Sequence, residues 1–244
     1  MFLDIRLDAY YESQGESTPR TEELAPLRYD GERRRAAAIR DLLGALDGLI
    51  VLDVGCGDGY LLQCISRGCR EMHGIDLASS RIAQAQERFE SLGLPVHLEV
   101  ADACHLPFTD ASIDVVVCTE VLEHLPDPLV ALCEIRRVLR PGGRTVVSVP
   151  HRELINWQRC VHCHKMTPAS GHFHSFDRDV LGALMCAAGL VDLKLRGTYP
   201  RINQRGLPGR VLRAMPTSMW VHLDRFAGER MGKGNWLLCR GRKS

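Results

Sequence analysis

The stretch VLDVGCGDGY, Val51 to Tyr60, constrains this chain more than any other. An apolar, β-branched run meets a carboxylate at Asp53, and glycines then follow at alternate positions, Gly55, Gly57 and Gly59. Such a run reads as a buried strand opening into a loop. Without Cβ atoms, the glycines let the backbone turn tightly and present main-chain N–H groups to an approaching ligand. A nucleoside-type ligand suits a loop of this kind.

The spacing selects among such ligands. The dinucleotide fingerprint has its third glycine three residues after its second, where this chain has Tyr60. Asp53, two residues ahead of Gly55, repels a pyrophosphate and attracts positive charge. Both features oppose an NAD(P)-dependent oxidoreductase. A second acid, Asp76 in HGIDLASS, falls at the end of the next predicted strand, where an acidic residue typically accepts from ribose hydroxyls. S-adenosylmethionine carries a sulfonium, an ammonium and a ribose but no phosphate, and it fits this pattern.

With the motifs that follow, VADACHLPF, VVVCTEVLEHLPDP and LRPGGRTVVSVP, the region of about 49–150 resembles the class I S-adenosylmethionine-dependent methyltransferases. It is most similar to the small-molecule branch that includes the ubiquinone-biosynthesis O-methyltransferases. The resemblance implies an α/β fold, a Rossmann-like seven-stranded sheet with helices on both faces and strand order 3-2-1-4-5-7-6, the last strand antiparallel. It implies cofactor contacts from Arg35, Asp53, Gly55, Cys56, Gly57, Asp76, Leu77, Asp102, Ala103 and Thr119, with Arg35 at the cofactor carboxylate and Asp102 at the adenine amino group. An exposed basic face is the bland alternative for Arg35, and a turn aspartate for Asp102.

Length and composition bound the rest. At 244 residues the chain is long enough for one sizeable core, and we expect one domain over 1–244. Its parts are an N-terminal helical segment 1–48, a cofactor-binding core 49–150 and an acceptor-side half 151–244. A net charge of +1 gives no global reason to expect nucleic acid as a partner. The opening MFLDIRLDAYYESQ lacks an apolar targeting core, and no run approaches the length of a membrane span. A cytoplasmic protein is expected, with oligomeric state unreadable. Ten cysteines in a chain of this length without an export signal read as reduced thiols, mostly small hydrophobes.

Taken in order, residues 1–27 read as irregular with a short helix around Leu7–Tyr11, and a helix from Asp30 runs to a stop at Gly48. Further helices are expected over Tyr60–Ser66, over Ser79–Leu92 capped by Ser79 or Ser80, from Asp127 as cap to an end at Pro141-Gly142-Gly143, and over Asp177–Ala188. Strands are expected at Glu71–Ile75, Val96–Val100, Ile113–Cys118, Arg144–Val149, Leu190–Arg196 and Trp236–Arg240.

After the fourth strand comes Thr119-Glu120-Val121-Leu122-Glu123-His124, without the Asn/Asp-Pro-Pro-Tyr/Phe run of the family's amino-methyltransferases of adenine and glutamine. Offsets of three and four residues let Glu120, Glu123 and His124 share one helical face. In the ubiquinone-type enzymes this E-x-x-E-H pattern is associated with a divalent metal, and bracing of the strand-to-helix corner is the alternative. WQRCVHCHKMTPASGHFHSF, Trp157 to Phe176, gathers Cys160, His162, Cys163, His164, His172 and His174. Cys160, Cys163, His172 and His174 offer ligands of a type suited to tetrahedral Zn²⁺, although the His-x-His spacing departs from finger-like patterns. A loop crossing the acceptor pocket without metal is the competing reading. Between the last two strands, 198–234 carries Arg201, Arg205, Arg210 and Arg213 with two short amphipathic patterns. A solvated face, a substrate cap and a patch for anionic headgroups all fit it.

The expected function is transfer of the sulfonium methyl to a small or lipid-like acceptor, at oxygen, with peripheral membrane contact allowed. The alternatives are an N-, C- or S-methyltransferase of the same fold and a noncatalytic cofactor-binding protein with a zinc knuckle. Glu120, His124, His172 and His174 are the candidates for acceptor positioning or base, and the expected cofactors are S-adenosylmethionine with a Zn or Mg ion.

Overall fold

The computed structural model describes residues 7–159, 164, 166–198, 215–216, 219–223 and 234–244. Strand β1 (Ile50–Val54) is buried along its whole length, which suits the centre of a parallel sheet. It pairs in parallel with β2 (Glu71–Asp76) and β4 (Ile113–Thr119). Strand β3 (His97–Val100) adds to β2, and β5 (Leu139–Pro150) adds to β4, both in parallel. The final strand β9 (Trp236–Lys243) lies antiparallel between β5 and β8 (Leu190–Thr198). The order is β3-β2-β1-β4-β5-β9-β8. It matches the expected 3-2-1-4-5-7-6 once a separate hairpin, β6 (Trp157–Arg159) with β7 (Met166–Pro168), is set aside.

Alternation along each strand sends neighbours to opposite faces, and two cores result. On one face Val51, Val115, Val117 and Val146 pack beneath α2 (Pro26–Leu43), α3 (Tyr60–Ile65) and α4 (Ser79–Leu92), through Ile39, Leu62 and Phe89. On the other, Leu52, Val54, Val116 and Val147 pack beneath α5 (Pro128–Val138) and α6 (Arg178–Ala187), through Ile135 and Leu181. Asp127 caps α5 by accepting from Leu129 N, and Asp177 caps α6 by accepting from Asp179 N and Val180 N.

Several expectations change. Helix α1 runs Leu7–Ser17, well beyond the short helix expected, because it packs on α4 rather than standing alone. Gly15 makes the approach possible, since a Cβ there would lie 2.6 Å from Ser80 Oγ. Neither Ser79 nor Ser80 caps α4. The Glu12 carboxylate of α1 does so instead, accepting from Ser79 N at 2.7 Å and Ser80 N at 3.0 Å. Those bonds hold the Glu12 carboxyl below its ordinary range. Helix α2 stops at Gly44, not Gly48: Gly44 takes φ of 71° and its N–H bonds Arg40 O. Strand β5 starts at Leu139, so Pro141-Gly142-Gly143 lies inside the strand rather than closing the helix. The described cysteines are free thiols. No helix among the described residues is long and apolar enough to cross a membrane.

Candidate active site

The carboxyl ends of β1, β2 and β4 converge on one cavity of about 420 Å³, within the range of small-ligand sites. Gly55, Asp76, Leu77, Asp102 and Ala103 line it together with Tyr10, Tyr11, Glu120, His124 and Leu125. A second hollow of about 240 Å³ carries Arg35, Asp53, Gly55, Cys56, Gly57 and Thr119, so Gly55 belongs to both. The sequence-predicted cofactor residues therefore surround two connected spaces.

The glycine loop owes its shape to backbone that other residues resist. Gly55 and Gly57 have φ of 71° and 54°, and Gly55 has Val121 pressed against the position of its missing Cβ. Asp76 ties this loop to the next helix, its Oδ2 accepting from Gly57 N at 2.9 Å and its Oδ1 from Ala78 N at 3.0 Å. Burial raises its carboxyl above the ordinary range, against those bonds. Asp102 is anchored by Cys104 N at 2.8 Å.

Asp53 is different. It is 1% exposed and neither carboxylate oxygen has a hydrogen-bond partner. Burial, then the nearby Asp76 charge, push its carboxyl up to about 8, with Arg35 pulling the other way. An ionised Asp53 lacks enough positive charge around it, so a cationic ligand group is what the position fits.

Glu120 has φ of 56°, left-handed backbone that a non-glycine residue adopts at a cost. Its carboxylate accepts from Ser148 Oγ at 2.7 Å and from the Trp236 indole at 3.0 Å, and Arg35 Nη1 stands 3.2 Å away. Arg35 also pairs with Glu32 and lies over the Trp236 ring. Burial works against the Arg35 charge, yet Glu32 and Glu120 together raise its pKa. The helical face expected for Glu120, Glu123 and His124 is not formed. Only Leu122–His124 makes a turn, of 3₁₀ type, and Glu120 faces Arg35 instead.

Glu123, His124 and His172 come together, with potential ligand atoms all within 4.8 Å of one another. Glu123 is 1% exposed with both oxygens unpartnered, and burial followed by Glu120 raises its carboxyl well above the ordinary range. The His124 ring meets His172 edge-on, with centroids 4.5 Å apart. Burial, then His172, push His124 down to about 4, so it is neutral at pH 7. Tyr11 donates to His124 O at 2.7 Å, and burial raises the Tyr11 phenol. His172 pairs through Nδ1 with Glu153, a residue no sequence motif flags.

His174 goes elsewhere: its Nε2 lies 2.9 Å from Leu125 O and 3.3 Å from Pro126 O, bracing the loop. The zinc-knuckle reading had placed His172 and His174 on one ion with Cys160 and Cys163; in the structure Glu153 takes Nδ1 of the first and the Leu125 carbonyl Nε2 of the second. Cys160 and Cys163 lie outside the described residues, as do Arg201, Arg205, Arg210 and Arg213. Missed by sequence reasoning were three residues of α1: Tyr10 and Tyr11, which line the cavity, and Glu12, which binds the start of α4. Their stretch has no periodicity or motif to flag it.

Comparison with known proteins agrees with this geometry. A family model described as a methyltransferase domain matches residues 52–147. A ubiquinone biosynthesis O-methyltransferase of Aeromonas salmonicida is 30% identical over 206 residues, covering 80% of this chain and 82% of that protein. An uncharacterized 37.1 kDa transposon protein of Streptomyces fradiae is 40% identical over 124 residues, half of this chain and 36% of the relative's own length. Among solved structures, a geranyl diphosphate methyltransferase with GPP and sinefungin superposes with a TM-score of 0.68. It is 18% identical and covers 99% of this chain and 100% of its own, a likeness of fold.

Proposed function

Because the chain belongs to the class I S-adenosylmethionine-dependent methyltransferases, we propose that it transfers the sulfonium methyl group to the hydroxyl of a small or lipid-like acceptor. One observation carries this reading: a single cavity is lined by Asp76 and Asp102 and also by Tyr10, Tyr11, Leu125 and His124. The acids suit a nucleoside with free ribose hydroxyls and an amino group. The aromatic and aliphatic lining suits an apolar acceptor with one polar group.

The protein needs to do little covalent chemistry. A sulfonium is a good leaving group, so the rate depends on holding acceptor oxygen, methyl carbon and sulfur in line and away from water. Asp53, once ionised, supplies charge for the cofactor's cationic end, and Arg35 supplies it for the carboxylate. Asp76 reaches the ribose and Asp102 the adenine. Tyr10 and Tyr11, on α1, exclude water over the acceptor side. The His124 corner is where the acceptor oxygen is held; as the oxygen–methyl bond forms and the sulfur–methyl bond breaks, the hydroxyl proton passes to an imidazole of this corner or to water, and S-adenosylhomocysteine leaves. A hydroxyl acceptor agrees with Thr119-Glu120-Val121-Leu122 following β4, where the amino-methyltransferases of adenine and glutamine carry a different run.

The test is incubation with methyl-labelled cofactor and a panel of phenolic, aliphatic hydroxyl, amine and thiol acceptors, with products read by mass spectrometry. Label on oxygen is the expected result. Label on nitrogen, sulfur or carbon, or on no acceptor with the cofactor bound, overturns the assignment.

A further inference from the structure

The E-x-x-E-H pattern of the resembling quinone methyltransferases implies a divalent ion, but in this chain the first glutamate is committed elsewhere. Both Glu120 oxygens already accept, from Ser148 Oγ at 2.7 Å and from the Trp236 indole at 3.0 Å, with Arg35 alongside. A carboxylate held in this way is already compensated by the protein and gains little from an ion.

Glu123 presents the opposite case. It is almost wholly buried, both oxygens lack partners, and the ligand atoms of His124 and His172 lie within 4.8 Å of it and of each other. A buried carboxylate with nothing to accept from is costly, and a cation between these three groups removes that cost. The tautomers agree. His124 Nδ1 lies 3.3 Å from Gly171 O, a carbonyl that only accepts, so Nδ1 carries the proton and Nε2 keeps its lone pair. His172 Nδ1 faces the Glu153 carboxylate, which fixes the same tautomer. A carboxylate behind a ligating imidazole is the arrangement by which proteins orient such rings on metals. The loop is fastened to the turn as well, Phe173 N donating to Glu123 O at 2.7 Å.

We propose that Glu123, His124 and His172 are the ligands of a divalent transition-metal site in this chain, with Glu153 orienting His172 and Glu120 taking no part. Two imidazoles and one carboxylate favour Zn²⁺ or Co²⁺ over Mg²⁺, which prefers oxygen and water. Three protein ligands leave coordination free for water or an acceptor oxygen. His124 also lines the cavity, so the site adjoins the acceptor side. Its role there rests on the methyl-transfer reading, whereas its ligand set does not.

The experiment uses the full chain purified without a metal-chelating tag. Zinc is measured by elemental analysis, and the stripped protein is then titrated with Co²⁺, followed by its visible absorption. One equivalent of metal is expected. Glu123→Gln and His172→Gln should each weaken Co²⁺ binding by roughly 100-fold or more, and Glu153→Gln by about 10–100-fold. Glu120→Gln should leave the affinity within about threefold. Each variant is checked by circular dichroism, and if Glu123→Gln does not fold, His172→Gln carries the test. Absence of both metals from the wild type, or equal loss in Glu120→Gln, overturns the assignment. So does loss of the ion in Cys160→Ser/Cys163→Ser while Glu123→Gln retains it. Calorimetry with S-adenosylhomocysteine on the same preparations separates the two readings: cofactor binding without metal binding overturns only the ligand set.

Discussion

Replacing Asp53 by asparagine should make the ligand-free protein more stable and the cofactor bind worse. Its carboxyl is raised from 3.8 to about 8 in the folded state, mainly by burial and secondarily by Asp76. A folded-state pKa above the unfolded one means that the native protein binds more protons between those values. Stability therefore falls as pH rises from about 4 to about 8, and at pH 7 the accumulated penalty is on the order of 4 kcal/mol. Asparagine does not ionise, and its unpartnered amide replaces an equally unpartnered carboxyl. For a chain of this size each kcal/mol moves Tm by about 2–4 °C, so the variant should melt about 5 °C or more higher at pH 7. The difference should shrink toward zero near pH 4. In the same variant, loss of a charge-assisted contact should weaken S-adenosylhomocysteine binding by about 10–100-fold. Thermal melts from pH 4 to pH 8, with and without S-adenosylhomocysteine, read both effects. A variant no more stable than wild type at pH 7, or equally stabilised at pH 4, would refute the account of Asp53.

Asp76→Ala removes the acceptor for Gly57 N and Ala78 N, and calorimetry should show S-adenosylhomocysteine binding weakened by about 1–3 kcal/mol; unchanged affinity would count against its ribose role. Gly15→Ala places a Cβ 2.6 Å from Ser80 Oγ and 2.9 Å from Ala78 Cβ, which should lift α1 from α4. Proteolysis within α1 should then quicken by about tenfold, an opening of roughly 1.4 kcal/mol, while the sheet's melting changes little.

The parts of this molecule that sequence made legible are those whose signals are local. Strand β1 with its glycine loop is written in consecutive residues, because β-branching, burial and the need for positive φ all act within one turn of chain. The cap at Asp127 is equally local, accepting from a backbone N–H two residues on. Where a partner far along the chain decides the outcome, local pattern fails. Ser79 and Ser80 suggested their own cap, but Glu12, 67 residues away from Ser79, supplies it. Glu120, Glu123 and His124 have helical offsets, yet left-handed backbone at Glu120 gives the first glutamate to Arg35 and Trp236. The Cys/His stretch suggested one ion for four residues, and what local pattern did not show is that Glu153 takes Nδ1 of His172 and the Leu125 carbonyl takes Nε2 of His174.

The buried carboxylates sort themselves by the same logic and show where ligands are missing from the energetic balance. Asp30 pairs with Arg34 at 2.8 Å, and Asp58 pairs with Arg88 at 2.8 Å while accepting from Thr21 N at 2.7 Å. Each is compensated by the protein itself, as burial of charge requires. Asp53 and Glu123 are equally buried and have both oxygens unpartnered. Asp53 lies in β1 just before the glycine loop and lines the second hollow, and Glu123 follows β4 next to His124, which lines the cavity, so both uncompensated acids stand beside the candidate site. Burial makes the ionised form of each costly until a positive charge stands beside it. In the readings proposed above, the cationic end of the cofactor would neutralise the first, and a divalent ion on His124 and His172 the second. Neutralising both by Asp53→Asn and Glu123→Gln should therefore stabilise the apo fold while removing the two charges that its ligands need.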